Sequence, residues 1–278
     1  MTKFKTALTS TFLILLSSTV SALEVNFKAF DAPSGFLYHS EKSIVVEYLV
    51  ENADLTILMF PGGEGYLGFN KPYEAAQKIP QKITYNGKFN DITKQLIDPA
   101  KFNRKINIVL VDSPYPLKDL KNQANFGFPV DRAHSEHQDR LMNVFNHYKK
   151  TYNKPIWIFG HSNGTFSTTS FIQTLRKAGR LNELAGIVLS GSRALIEISE
   201  PVDLPIVFVH HERDECKSNS YPDALKNHEK FKTLNKQKTE FFTIRGGDAE
   251  NKDPCDSGLH MYFNAYDEVA TILNKEIR

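Results

Sequence analysis

Seven short apolar runs, each closed by turn residues, constrain this chain more than any other feature. They are SIVVEYLV (43–50), DLTILMF (54–60), INIVLVD (106–112), KPIWIFG (154–160), LAGIVLSG (184–191), LPIVFVHH (204–211) and TEFFTI (239–244). Continuous runs of this length, rich in Val, Ile and Phe, suit strands buried on both faces. Helical spacing fills some of the gaps. Leu141, Val144, Phe145, Tyr148 and Tyr152 recur within 134–152, Phe166, Ile172 and Leu175 within 165–178, and Tyr266, Val269, Ala270 and Leu273 near the end. These stripes read as core. Strands alternating with helices imply an α/β architecture, a mostly parallel sheet with helices on both faces. The first two strands are separated only by ENA (51–53), which predicts an antiparallel hairpin there. Residues 69–104 and 113–133 are polar and irregular and follow strand ends. Cap or substrate-binding segments are expected there in open α/β sheets. With no repeat, low-complexity tract or linker, 23–278 reads as one domain.

The first 22 residues differ from the rest. A basic start, MTKFK, leads into the apolar ALTSTFLILLSSTV and the small residues of VSA. That is a signal-peptide pattern with cleavage expected after Ala22, and the stretch is short for a spanning helix. The expected location is therefore secreted or periplasmic, without a stable membrane anchor. Removing 1–22 takes away Lys3 and Lys5 and no acid, leaving 32 basic and 32 acidic residues. A balanced charge gives no footprint for nucleic acid or an anionic membrane. The cysteines are Cys216 and Cys255. In an exported protein a disulfide between them is favoured over free thiols, and two cysteines without histidine spacing make a poor zinc site.

The run WIFGHSNGT (157–165) ends a strand in two glycines that bracket a serine. Gly160-His161-Ser162-Asn163-Gly164 fits G-x-S-x-G. Chance alone produces that pattern in about one chain in ten of this length, so context decides. Here it follows a predicted strand and precedes a predicted helix, as a nucleophile turn requires. Asn163-Gly164-Thr165 also fits a glycan acceptor, but acceptors lie on exposed loops rather than at strand–helix junctions.

A serine hydroxyl needs a base. His260, in DPCDSGLHMYF (253–263), lies past the last predicted strand and before the final helix, where the order Ser, acid, His puts it. His161 should point away from the reacting face of Ser162, and His134, His137 and His147 should be solvated on a charged helix. The base needs an acid to hold its tautomer. LPIVFVHHERDEC (204–216) offers Glu212, Asp214 and Glu215. Asp214 is preferred, with Glu212 next. A bridge from Cys216 to Cys255 would tie the acid loop to the base loop. The oxyanion needs donors: the backbone N–H of Asn163 and one from MFPGGEGYLG (59–68), with Gly63 favoured and Gly62 the alternative. That loop lacks the Gly-Lys-Ser/Thr ending of a P-loop.

Taken together, PGGEG, INIVLVDSP, GHSNGT, LPIVFVHHERDEC and DPCDSGLHMYF, in that order, resemble the α/β-hydrolase superfamily over most of the mature chain. The likeness runs to small exported bacterial serine hydrolases. The resemblance implies an eight-strand-type sheet with a variable cap, and nucleophile, acid and base at Ser162, Asp214 and His260. Pro61 stands where many esterases have a histidine, a departure from the lipase-like pattern. The expectation is a serine hydrolase that cleaves a small ester-like substrate through an acyl-enzyme, a chemistry that calls for neither metal nor organic cofactor. The alternatives are peptidase, thioesterase or lactonase activity on the same triad, a cofactor-free oxygenase or lyase using the same serine and histidine, and a binding protein that has lost the chemistry.

Overall fold

A computed structural model describes residues 24–32, 42–63, 96, 104–111, 130–249, 254–255 and 258–278. The expected signal peptide lies outside them. So do the expected cap segments 69–104 and 113–133, apart from Leu96, Arg104 and residues 130–133.

Eight strands form one sheet: β1 (Glu24–Asp31), β2 (Lys42–Leu49), β3 (Leu55–Phe60), β4 (Ile106–Val111), β5 (Ile156–His161), β6 (Leu184–Ser190), β7 (Ile206–His211) and β8 (Thr239–Ile244). Their order is β1-β2-β4-β3-β5-β6-β7-β8. From β4 to β8 every pairing is parallel. β2 runs antiparallel to both β1 and β4. All residues of β3, β4 and β5 are buried, as continuous apolar runs covered on both faces should be.

The hairpin expected from ENA does not form. β4 lies between β2 and β3, pairing Val45 with Val111 on one side and Leu55 with Ile106 on the other. Two strand spacings are about 10 Å. The link 50–54 crosses that gap with Asn52 in the left-handed region, at φ 56. Polar side chains tie the crossing to β4: Asn107 Oδ1 accepts from the Val50 N–H at 2.9 Å, and Asp54 Oδ2 from the Lys105 N–H at 2.9 Å. A short link signals nearness, not adjacency. β1 was not foreseen either, because EVNFKAFD mixes charge and apolar residues at a sheet edge.

The helices are α1 (Val130–Ala133), α2 (Ser135–Tyr152), α3 (Gly164–Lys177), α4 (Tyr221–Leu234) and α5 (Tyr266–Glu276). On α2, Leu141, Val144, Phe145 and Tyr148 fall on one buried stripe. They pack with Phe171, Ile172 and Leu175 of α3 and Phe231 of α4 against one face of the sheet. α5 covers the other face with Val269, Ala270 and Leu273, against residues such as Ile57, Ile108 and Trp157. Each such large side chain contributes about 1.5–3 kcal/mol on burial. α4 had no apolar stripe to announce it, since its buried face includes Asn227 and His228 beside Ala224 and Phe231. Its start is marked chemically: Ser220 caps it by accepting from the Asp223 N–H.

Candidate active site

The C-terminal ends of β3, β5, β6 and β7 converge on one edge of the sheet, and the residues singled out above collect there. β5 delivers the chain to Ser162, a non-glycine residue at φ 50, a conformation that costs an L-residue energy unless its surroundings impose it. The surroundings here are backbone and one buried threonine. A Cβ on Gly164 would lie 1.9 Å from the Phe60 carbonyl oxygen, and one on Gly160 would lie 2.3 Å from Thr168 Oγ1. Both flanking positions must therefore be glycine for strand, turn and helix to close on one another. Hydrogen bonds hold the turn from either side. The Ser162 N–H donates to the Ser190 carbonyl at 2.9 Å, and the Ser162 carbonyl accepts from the Thr165 N–H at 2.9 Å and hydroxyl at 2.6 Å.

After β3 the chain passes through Pro61, Gly62 and Gly63. A Cβ on Gly62 would meet Ser162 Cβ at 2.9 Å, so this loop lies directly against the serine. Gly63 adopts φ 55, and its carbonyl accepts from Asn163 Nδ2 at 2.9 Å. Asn163 is buried and its amide is engaged, which disfavours the glycan reading. Arg132, which no sequence signal picked out, is buried beneath the same loop. Its Nη2 donates to the carbonyls of Pro61 and Gly63 at 3.2 and 3.1 Å, and its Nη1 to Ser167 Oγ at 3.1 Å. Ser167 Oγ also meets His137 Nε2 at 2.9 Å. His137 is thus not solvated as expected but 1% exposed. Burial first, then the nearby Arg132 and Arg140 charges, keep it neutral, well below its ordinary range. His134 caps α2 instead of standing free, with Nδ1 accepting from the Glu136 N–H.

Asp214 lies just past β7, its side chain 1% exposed. Its Oδ2 is 2.6 Å from His260 Nδ1 and 3.3 Å from His210 Nε2, and Oδ1 accepts from the Cys216 N–H at 3.0 Å. Burial alone would raise its pKa. Hydrogen bonds from His210 and His260, together with their charges, outweigh burial and hold the carboxyl well below the usual range. His210 Nε2 is also 2.7 Å from the Asn219 carbonyl. A carbonyl only accepts, so Nε2 carries a proton. Asn219 in turn donates through Nδ2 to the Gly191 carbonyl. Glu212, the second choice for the acid, is exposed and pairs with Arg245 at 3.2 Å. Cys216 and Cys255 are joined, Cα to Cα 4.5 Å, so the acid loop is covalently tied to the segment that leads to His260.

The His260 ring is buried and lies 4.8 Å, centroid to centroid, from the ring of His161. Both rings press on Gly191, where a Cβ would come within 2.9 Å of His161 Cε1 and 3.2 Å of His260 Cε1. The imidazole of residue 260 is thus packed against the residue that immediately precedes Ser162. Proton positions in the floor below follow from one carbonyl. The Tyr262 hydroxyl donates to the Val209 carbonyl at 2.9 Å, so it accepts from Ser190 Oγ at 2.9 Å, and Ser190 Oγ accepts from His161 Nδ1 at 3.0 Å. Burial, and then the nearby His260, keep His161 neutral, well below its ordinary range. Among the described residues no group of three or more His, Cys, Asp or Glu is placed to hold a metal ion.

No family model matches the chain. Over 215 residues it is 24% identical to a carboxypeptidase, sxa2, of Schizosaccharomyces pombe; the match takes 73% of this chain and 39% of that protein, so the chain spans about two fifths of the relative's length. Among solved structures it is similar to an α/β serine hydrolase without lid from Xanthomonas campestris (TM-score 0.58, 12% identity, 92% of this chain and 94% of that one). It is also similar to a dienelactone hydrolase from Anabaena variabilis (0.58, 14%, 91% and 97%) and to carboxyl esterase 2 from the fungus Tuber melanosporum (0.53, 11%, 94% and 90%). With its mostly parallel eight-stranded sheet, the chain has the α/β-hydrolase fold.

Proposed function

We propose that this α/β-hydrolase-fold protein is an exported serine hydrolase that cleaves an ester-like bond through an acyl-enzyme. One observation carries the reading: a buried imidazole, hydrogen-bonded at 2.6 Å through Nδ1 to a buried carboxylate, packs against His161, the residue before a serine on a glycine-bracketed turn. Because Nδ1 faces Asp214, Nε2 of His260 is the nitrogen left to act as base. It takes the Ser162 proton as Oγ bonds the substrate carbonyl carbon. The charge that forms on the carbonyl oxygen is met by the backbone N–H groups of Asn163 and Gly63, with Gly62 the neighbouring alternative. As the tetrahedral adduct collapses, His260 gives the proton to the leaving oxygen and the acyl group stays on Ser162. Water then repeats the sequence, losing its proton to His260, and the acid product departs with Ser162 restored. Asp214 stays ionised throughout and stabilises the imidazolium. His161, held neutral with its proton on Nδ1, is a floor for His260 and not a competing base.

Export fits the bridge between Cys216 and Cys255, since disulfides persist in oxidising compartments. Among the described residues no helix is long and apolar enough to cross a membrane. The similarity to a carboxypeptidase favours peptide hydrolysis as the second reading.

Labelling by a fluorophosphonate probe tests the reading. Wild type is expected to label and to hydrolyse p-nitrophenyl esters of graded chain length. Ser162→Ala should label not at all and lose about 10⁵–10⁶ in kcat. A folded wild-type protein that does not label would point to a binding protein. Turnover of blocked dipeptides in place of esters would move the activity to peptidase.

A further inference from the structure

Resting on that reading, we infer that Arg132 is a positioning residue that fixes the oxyanion donor of the Gly62–Gly63 loop. A donor helps only if it is aimed before the charge appears. Two consecutive glycines aim nothing by themselves, because neither has a side chain to restrict its dihedrals. Gly63 in addition occupies the left-handed region at φ 55, and a Cβ there would meet nothing within 4 Å among the described residues. Gly62 is packed against Ser162, but among the described residues nothing of that kind constrains the Gly63 end of the peptide between them, whose N–H belongs to Gly63.

Arg132 supplies one. A single nitrogen, Nη2, bonds the carbonyl before that peptide, Pro61 at 3.2 Å, and the carbonyl after it, Gly63 at 3.1 Å. The peptide is thereby held at both ends. The other terminal nitrogen, Nη1, is anchored to Ser167 on α3. From the start of the same helix, Asn163 Nδ2 reaches the Gly63 carbonyl at 2.9 Å. One planar guanidinium thus links the loop that would supply the Gly63 N–H to the helix that follows the Asn163 N–H. The site of Arg132 is itself fixed: its carbonyl accepts from Gln138 Nε2 at 2.6 Å, and the side chain is 2% exposed. Burying a charge is expensive, and hydrophobic replacements of buried ionic groups are often neutral for stability. What the guanidinium supplies that an apolar side chain would not is the aim of two carbonyls. A lysine keeps the charge but lacks the rigid fork.

With p-nitrophenyl butyrate as substrate, Arg132→Lys should lower kcat about 10–100-fold and Arg132→Met about 100–1000-fold, the range for loss of one oxyanion donor. KM should stay within about twofold. Affinity for an alkyl trifluoromethyl ketone, which forms an oxyanion on the serine, should fall in step with kcat/KM. Guanidinium chloride at non-denaturing concentration should restore part of the activity of Arg132→Ala. A purely structural role would lower the melting temperature without separating kcat from KM, and would leave ketone affinity per folded molecule unchanged. If Arg132→Met does not fold, Arg132→Lys decides. A folded lysine variant with wild-type kcat and ketone affinity overturns the inference while leaving the serine hydrolase reading intact. A wild-type protein that neither labels nor turns over removes that reading first.

Discussion

The turn that carries Ser162 and the loop that carries Asp214 flank β6 on opposite sides, and they are fixed by different forces. The turn is held by exclusion: glycines at 160 and 164 sit where any Cβ would collide with backbone or with Thr168, and the hydrogen bonds around Ser162 are to main-chain oxygens. The loop is held by polar contacts that gather on one carboxylate, from His210, His260 and the Cys216 N–H, and by a disulfide. A sterically fixed element is intolerant of added atoms and indifferent to solvent conditions. One fixed by polar and covalent contacts has the opposite sensitivities.

Four measurements would break or sharpen that contrast. Asp214→Asn should leave the fold intact and lower kcat about 10⁴-fold, near 5.5 kcal/mol of barrier. A loss below tenfold would mean that His260 is oriented by something else. Gly164→Ala should destabilise by about 4 kcal/mol or more, since the new methyl would overlap the Phe60 carbonyl and only a backbone shift relieves it; urea unfolding reads this directly. Replacing both Cys216 and Cys255 by alanine should cost about 3 kcal/mol. In mild urea the double variant should lose turnover while far-UV circular dichroism remains native, and unchanged turnover would show that the polar contacts suffice alone. The most gradual effect is that of pH. His137 and His161 are held neutral by burial, so below about pH 6.5 the unfolded chain binds protons the folded one does not, and stability falls. Asp214 is shifted down, so its contribution is complete above about pH 4 and is lost as pH drops further. A urea midpoint that is level from pH 8 to pH 5 would contradict the histidine part.

The same contrast explains what the sequence made legible. The serine turn could be read because steric rules leave a local trace, two glycines at fixed offsets after an apolar run. The buried strands could be read for the same reason, since unbroken apolar stretches have few other uses. Contacts between distant polar side chains leave no such trace. His210 lies in LPIVFVHHERDEC, four residues before Asp214, and that spacing is the local signal for its contact with the carboxylate. His137 read as solvated because charged residues surround it in sequence, while the helix turns it inward to Ser167. Arg132 had no signal at all, as the acceptors it shares among the described residues come from positions as distant as 61, 63 and 167. The expected hairpin failed because a short link says nothing of which later strand will slip between its arms.

The order in which β5, β7 and the final turn supply the site has a consequence for biogenesis. Polypeptides leave the ribosome amino end first and fold largely in that direction. On the proposed reading the reactive hydroxyl at residue 162 is then translated 98 residues before the imidazole at residue 260. A nascent chain that had reached the serine but not the histidine would be inert toward the acyl compounds around it.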